Sequence, residues 1–279
     1  MEAPMIKVWE ITIPPLTGNE KRRAYVYLPA SYKNNPNKRY PVLYMFDGHN
    51  VFFDDHATYG KSWGMKDFMD RTRTEMIIAA VECNHSPDHG RLKEYSPYDF
   101  ENERFGSIAG RGEETMDWLI HTFKKQIDKK FRTLSDREHT FIAGSSMGGL
   151  MSFYAVLQHN DVFGRAACLS PSLWTDPEQL MELATEAPVD PNTVIYMDYG
   201  SKEFDNHDQM LQGFSAFTAA LMNRRIYVQS RIVPGGEHCE ACWEKQIPIF
   251  MEALTYGLKK VQKKQQKTKK PFWKDWTKF

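Results

Sequence analysis

Disulfide-forming sulfur, net charge and long apolar runs are all scarce in this chain, and each scarcity narrows what it can be. Four cysteines (Cys83, Cys168, Cys239 and Cys242) in 279 residues are too few for a disulfide scaffold, so a reducing cytoplasm is the expected setting. Lys plus Arg and Asp plus Glu balance at 36 each, for a formal net charge of +0. That balance asks for neither nucleic acid nor an anionic membrane. Nowhere is an apolar stretch long enough to span a bilayer. Met1 to Pro15 also lacks the basic start and apolar run of a secretory leader.

What the chain does have is 41% apolar residues, enough to bury a large core. From about Tyr40, strand-like and helix-like patterns alternate. Strands are expected over Val42 to Phe46, Met76 to Val81, around Phe141, over Ala166 to Leu169, Val194 to Met197 and Ile226 to Val233. Helices are expected over Met116 to Ile127, Leu150 to Gln158, Met210 to Leu221 and Trp243 to Leu258. Such alternation predicts an α/β fold, a mostly parallel central sheet with helices on both faces. Ile6 to Ile13 and Arg23 to Leu28 add an antiparallel N-terminal part. No repeat or linker divides the chain, so residues 1–258 read as one domain. The tail 259–279 is Lys-rich and aromatic. Asn84 to Gly112 is too long for an ordinary connector and is expected to line a site or form a lid.

The sharpest motif is Gly144-Ser145-Ser146-Met147-Gly148-Gly149, a G-x-S-x-G segment between a predicted strand and a predicted helix. In that context the serine occupies a strained turn, and small residues two before and two after it avoid collision. The turn lifts the Ser146 hydroxyl toward a substrate. Met147 N–H, at the helix start, then faces the same space as an oxyanion donor. A second donor should come from the loop after the third strand, Asp47-Gly48-His49-Asn50, and is assigned to His49 N–H.

A serine hydroxyl needs a base within hydrogen-bond reach. Where such elbows occur, the partners follow in the order Ser, acid, His. That order selects His238, which lies after the last strand behind Gly235 and Gly236. His159 and His207 fall in or beside predicted helices. The acid should follow the strand near Tyr199. Glu203 is the first choice, with Asp205, Asp198 and Asp208 as alternatives. Its role is to hold the imidazole tautomer and stabilise the imidazolium.

Seven stretches then add up to a resemblance. They are Tyr40 to Asn50, Arg91-x-x-Glu94-Tyr95-Ser-Pro, Phe131-Arg-Thr, Gly144 to Leu150, Ser170-Pro-Ser-x-Trp174, Gly200-Ser-Lys-Glu203, and Gly235-Gly-Glu-His238 with Trp243 beyond it. The chain resembles the esterase D-like group of α/β-hydrolases, which includes feruloyl and acetylxylan esterases, siderophore esterases and mycolyltransferases. The resemblance implies the α/β-hydrolase fold, a Ser146, Glu203, His238 triad, and Met147 and His49 as oxyanion donors. It also suggests that Arg91 and Glu94 brace the long loop through a mutual salt bridge.

Weaker signals get plainer readings. Trp63 and Trp174 are candidate substrate-binding walls, because aromatic rings can stack on sugars or phenols. Cys239 and Cys242 form a C-x-x-C without a second ligand pair, so helix packing is the expected role. His85 and His89 have helical metal-ligand spacing, but Pro87 between them argues against a helix. No metal and no cofactor are expected. The predicted function is a serine carboxylic-ester hydrolase acting on a small-molecule ester, such as an acylated sugar or phenolic ester. Neither nucleic acid nor membrane is an expected partner. The alternatives are acyl transfer or thioester hydrolysis by the same triad, or a non-catalytic binding protein on a hydrolase fold.

Overall fold

The computed structural model describes residues 5–203 and 207–258; the expected tail, 259–279, lies outside them. Eight strands form the central sheet: β1 (Met5–Thr12), β2 (Lys21–Leu28), β3 (Val42–Met45), β4 (Ile77–Val81), β5 (Thr140–Ser145), β6 (Arg165–Leu169), β7 (Val194–Gly200) and β8 (Tyr227–Val233). Their spatial order is β1-β2-β4-β3-β5-β6-β7-β8. β2 pairs antiparallel with both β1 and β4. From β4 to β8 every neighbouring pair is parallel. This is the mostly parallel sheet with an antiparallel N-terminal part that the sequence predicts.

Both faces of the sheet are buried, and the side-chain alternation of a strand sorts residues between them. In β3, Val42 and Tyr44 enter one apolar cluster while Leu43 and Met45 enter the other. β6 divides likewise, Ala166 and Cys168 against Ala167 and Leu169. The first cluster is covered by the helices Met147–Gln158, Pro177–Glu186 and His207–Asn223. The second is closed by Met65–Thr72 and Ile247–Leu254. The helix Met147–Gln158 is buried from Met147 to Leu157, which is why its sequence is apolar on all sides.

Several expectations are refined. The helix expected over Trp243 to Leu258 is two, Glu240–Glu244 and Ile247–Leu254, because Pro248 suits the first turn of a new helix but not the interior of a continuous one. The helix around Met116 begins at Gly112, passes through a π-helical stretch at Leu119–Lys124, and ends at Lys130. The long segment after Asn84 folds into a short helix, Gly90–Glu94, and a hairpin of Phe100–Asn102 with Gly106–Ile108. Among the described residues no helix is long and apolar enough to cross a membrane.

Candidate active site

β5 ends at Ser145, and the chain turns sharply before the helix that begins at Met147. Ser146 sits in that turn with φ 57° and ψ −123°, a conformation L-residues avoid unless the surroundings enforce it. The turn is so tight that a Cβ on Gly144 would lie 2.5 Å from the backbone of Gly148. The Ser146 backbone is held on both sides, its N–H by Leu169 O at 2.9 Å and its carbonyl by the N–H of Leu150 and of Ser172. Its Oγ lies 3.5 Å from Ser172 Oγ. As the first helical residue, Met147 has an N–H with no intrahelical acceptor.

His238 and Glu203 meet across two loops that are laced together. Lys202 N–H donates to Gly236 O at 2.8 Å, Ser201 N–H to Val233 O at 3.0 Å, and Gly235 N–H to Ser201 Oγ at 2.8 Å. Gly200 is required where they touch, since a Cβ there would stand 2.5 Å from Gly236 O. His238 Nδ1 lies 2.9 Å from Glu203 Oε2. The other oxygen, Oε1, accepts from Gly200 N–H at 2.7 Å and from the Ser170 hydroxyl. The Glu203 side chain is only 2% exposed, so these donors replace the water it has lost.

A second layer fixes these partners. Trp243 Nε1–H donates to Ser170 Oγ at 2.9 Å, and the Trp243 ring stands edge-on to His238 with centroids 5.0 Å apart. Ser170 is itself at positive φ, 44°. The alternative acid Asp198 is buried beneath this layer, accepting from Tyr196 O–H at 2.7 Å and from Ser170 N–H at 3.2 Å. Burial pushes its carboxyl up to about 7. Asp208 is exposed, and Asp205 lies outside the described residues.

Ser146 and His238 line one cleft of about 530 Å³, together with Asn50, Tyr59, His85, His89, Arg91 and Trp243. His49 belongs to a 3-10 turn, Gly48–Asn50, entered through Asp47 at φ 54°. The His49 ring is buried, with Nε2 2.9 Å from Thr58 Oγ1. Burial lowers its pKa below the ordinary histidine value, which keeps the ring neutral. At the cleft wall Arg91 grips Asp47 bidentately, Nε to Oδ1 and a terminal nitrogen to Oδ2, both at 2.7 Å. Burial alone would raise the Asp47 carboxyl, but Arg91 outweighs it and holds the group below the usual carboxylate range.

The expected Arg91–Glu94 pair is replaced by two others. Arg91 takes Asp47, and Glu94 takes Arg22, whose terminal nitrogen donates to Oε1 at 2.8 Å. Asp47, Arg22 and Glu94 are all buried, so each needs a countercharge, and the fold places Arg91 against Asp47 and Arg22 against Glu94. The two tryptophans also lie elsewhere than the cleft. Trp63 is 3% exposed and packs behind Trp243 and against Phe250, at centroid distances of 6.0 and 6.1 Å. Trp174 stacks on Phe105 and lines a separate groove with Pro171 and Phe217.

The family model described as "Putative esterase" matches residues 17–259. The chain belongs to the Esterase family. As a member it is a carboxylic ester hydrolase on an α/β-hydrolase fold. It is 26% identical over 185 residues to the uncharacterized protein YbbA of Bacillus subtilis (strain 168), across 65% of this chain and 69% of that protein. The fold is shared with a ferulic acid esterase (TM-score 0.68, 22% identity, 91% of this chain and 98% of that one). It is shared too with the enterobactin esterase of Shigella flexneri (TM-score 0.71, 17% identity, 91% of this chain and 59% of that one).

Sequence reasoning gave no role to Ser170, Ser172, Trp243 or the Asp47–Arg91 pair. Ser170-Pro-Ser and Trp243 stand in quoted stretches, but nothing local in a sequence says that a serine after β6 will meet a carboxylate after β7. The half-buried thiols of Cys239 and Cys242 are free, and Cys242 Sγ accepts from Glu237 N–H at 3.3 Å.

Proposed function

We propose that this protein hydrolyses small-molecule carboxylic esters through an acyl-enzyme on Ser146, with His238 as general base and Glu203 as its orienting acid. The observation that carries the reading is the 2.9 Å contact between His238 Nδ1 and Glu203 Oε2, at a cleft that Ser146 shares. A buried carboxylate on Nδ1 holds the proton there and leaves Nε2 as the basic nitrogen. His238 Nε2 takes the Ser146 proton as Oγ adds to the ester carbonyl. Met147 N–H and His49 N–H take the negative charge that develops on the carbonyl oxygen, both from backbone that needs no reorganisation. His238 then gives the proton to the departing alkoxide, which leaves as the alcohol. Water, deprotonated by the same imidazole, resolves the acyl-enzyme and returns the proton to Ser146.

The cleft wall favours compact polar substrates. Asn50, Thr58, His85 and His89 offer hydrogen bonds, and Arg91 is neutralised by Asp47. Those groups suit the hydroxyls of a sugar or a phenol better than a long acyl chain. The kinship in fold with a ferulic acid esterase and an enterobactin esterase supports aryl-containing esters as the first class to try. Steady-state and burst kinetics on aryl acetates, acetylated sugars and feruloyl esters test the reading. The expected result is turnover with a pre-steady-state burst of alcohol equal to the enzyme, absent in Ser146→Ala. Undiminished turnover in Ser146→Ala would refute it.

A further inference from the structure

The cleft holds a second group of reactive side chains that ester hydrolysis does not use. His49 follows β3, Cys83 and His85 follow β4, and these strands are parallel neighbours, so their C-terminal ends bring the three residues together. One ligating atom from each lies within 4.8 Å of one from each of the others, the one such trio among the described residues. His49 and Cys83 are 4% and 2% exposed, whereas His85 is open to the cleft. The His49 and His85 rings meet edge to face at 4.8 Å between centroids.

His49 supplies an independent pointer to a ligand. Its Nδ1 is buried and has no hydrogen-bond partner, while Nε2 is engaged by Thr58. Native proteins seldom leave a buried polar nitrogen without a water or an ion beside it. A second-sphere hydroxyl on one ring nitrogen is also how metal-binding histidines are oriented so that the other nitrogen presents its lone pair. Tetrahedral zinc, with bonds of about 2.0–2.3 Å, holds its ligand atoms roughly 3.5 Å apart. A separation of at most 4.8 Å closes by a side-chain rotation, and the exposed His85 has room to make it.

We propose that His49, Cys83 and His85 bind a thiophilic divalent cation of the zinc class, with its fourth position open to the catalytic cleft. Two imidazoles and a thiolate are a donor set that favours zinc over magnesium or calcium. On binding, the Cys83 S–H bond breaks, sulfur donates its electron pair to the cation, and the proton leaves to solvent, with no change of oxidation state. Asp47, which lines the same cleft as His49, Cys83 and His85, supplies nearby negative charge to the incoming cation. Occupancy inhibits ester hydrolysis, because the cation locks the residue whose N–H is an oxyanion donor and crowds the carbonyl site. This consequence rests on the function proposed above; the binding site does not.

The test is titration of the reduced protein with Co²⁺, read by absorption. The wild type should show a thiolate-to-cobalt band in the near ultraviolet and intense visible bands of four-coordinate cobalt, displaced by one equivalent of Zn²⁺. Cys83→Ser and His85→Ala should weaken binding about a hundredfold or more, beyond the loss typical of a second-sphere change. Cys239→Ser/Cys242→Ser should leave the bands unchanged. A folded wild type without a thiolate band would overturn the site. So would a band that survives His85→Ala and Cys83→Ser but disappears with Cys239 and Cys242. Should Cys83→Ser not fold, the surface variant His85→Ala decides alone. Zinc should also inhibit hydrolysis in the wild type and lose potency in His85→Ala. Cobalt binding without zinc inhibition overturns the inhibitory role, and a cobalt-binding protein inactive on every ester refutes the hydrolase reading instead.

Discussion

The two sides of the cleft are built differently. On the side of β6 to β8, the carboxylates and their neighbours are paired: Gly200, Ser170 and His238 on Glu203, Trp243 on Ser170, Tyr196 on Asp198. On the side of β3 and β4, Arg91 and Asp47 hold one another, but several polar side chains facing the cleft are less tied down. Tyr59 is 82% exposed, His85 is exposed, and His49 Nδ1 has no partner. In the mechanism proposed above, the first side carries the proton path, whose geometry tolerates little error. The second leaves side chains available to adapt to a substrate or, as proposed, to a cation. On the proposed mechanism, rigidity is concentrated where the proton moves and relaxed where the ligand is chosen.

Breaking the ordered side should do the most harm. His238→Ala is expected to lower kcat by about 10⁴-fold or more on any ester that is turned over, with little change in KM. Glu203→Gln should follow at about 10³–10⁴-fold, since an amide can no longer hold the reactive tautomer. Asp198→Asn should cost about tenfold or less, which steady-state kinetics would read as a clear separation of the two carboxylates. The same variant tests the electrostatics by denaturation against pH. With Asp198 raised to about 7, the native state keeps a proton that the unfolded chain releases near pH 4. The wild type therefore loses stability from this group as pH rises from about 4 to 7, and the asparagine variant should lack that slope.

The Arg91–Asp47 pair, on the side of β3 and β4, predicts a stability effect without an acid–base one. Arg91→Ala strands the buried carboxylate of Asp47. The expected loss is about 2–3 kcal/mol in chemical denaturation, less than a fully buried pair would give because Arg91 is 32% exposed. The smallest change belongs to the open side. Tyr59→Ala should shift KM a few-fold and leave the melting temperature unaltered, because an exposed ring carries little packing. A large fall in kcat from Tyr59→Ala would break the division drawn here.

How much of this was legible in the sequence differs by the range of the contact. The elbow is local: Gly144, Ser146 and Gly148 announce a tight turn because steric rules act between near neighbours. Sheet direction follows from alternation, and strand starts and stops follow from apolar runs, so β3 to β8 could be read directly. Chain order pointed to Glu203 and His238, and the fold brings Oε2 of the first within 2.9 Å of Nδ1 of the second. The second layer was not. Ser170, Trp243 and Arg91 act on partners dozens of residues away, and the sheet order β2-β4-β3-β5 that brings β3 beside β4 leaves no local trace. That is why Arg91 and Glu94, close in sequence, invited a pairing that two buried charges elsewhere override. For the same reason the local spacing of His85 and His89 gives no hint that His85 lies beside His49 and Cys83.

The central claim is an activated Ser146, and intact-mass analysis after fluorophosphonate treatment tests it most directly. The account predicts one adduct on the wild type, none on Ser146→Ala, and sharply slowed labelling of His238→Ala. A folded wild type that takes no adduct, or a Ser146→Ala variant that still takes one, would contradict it.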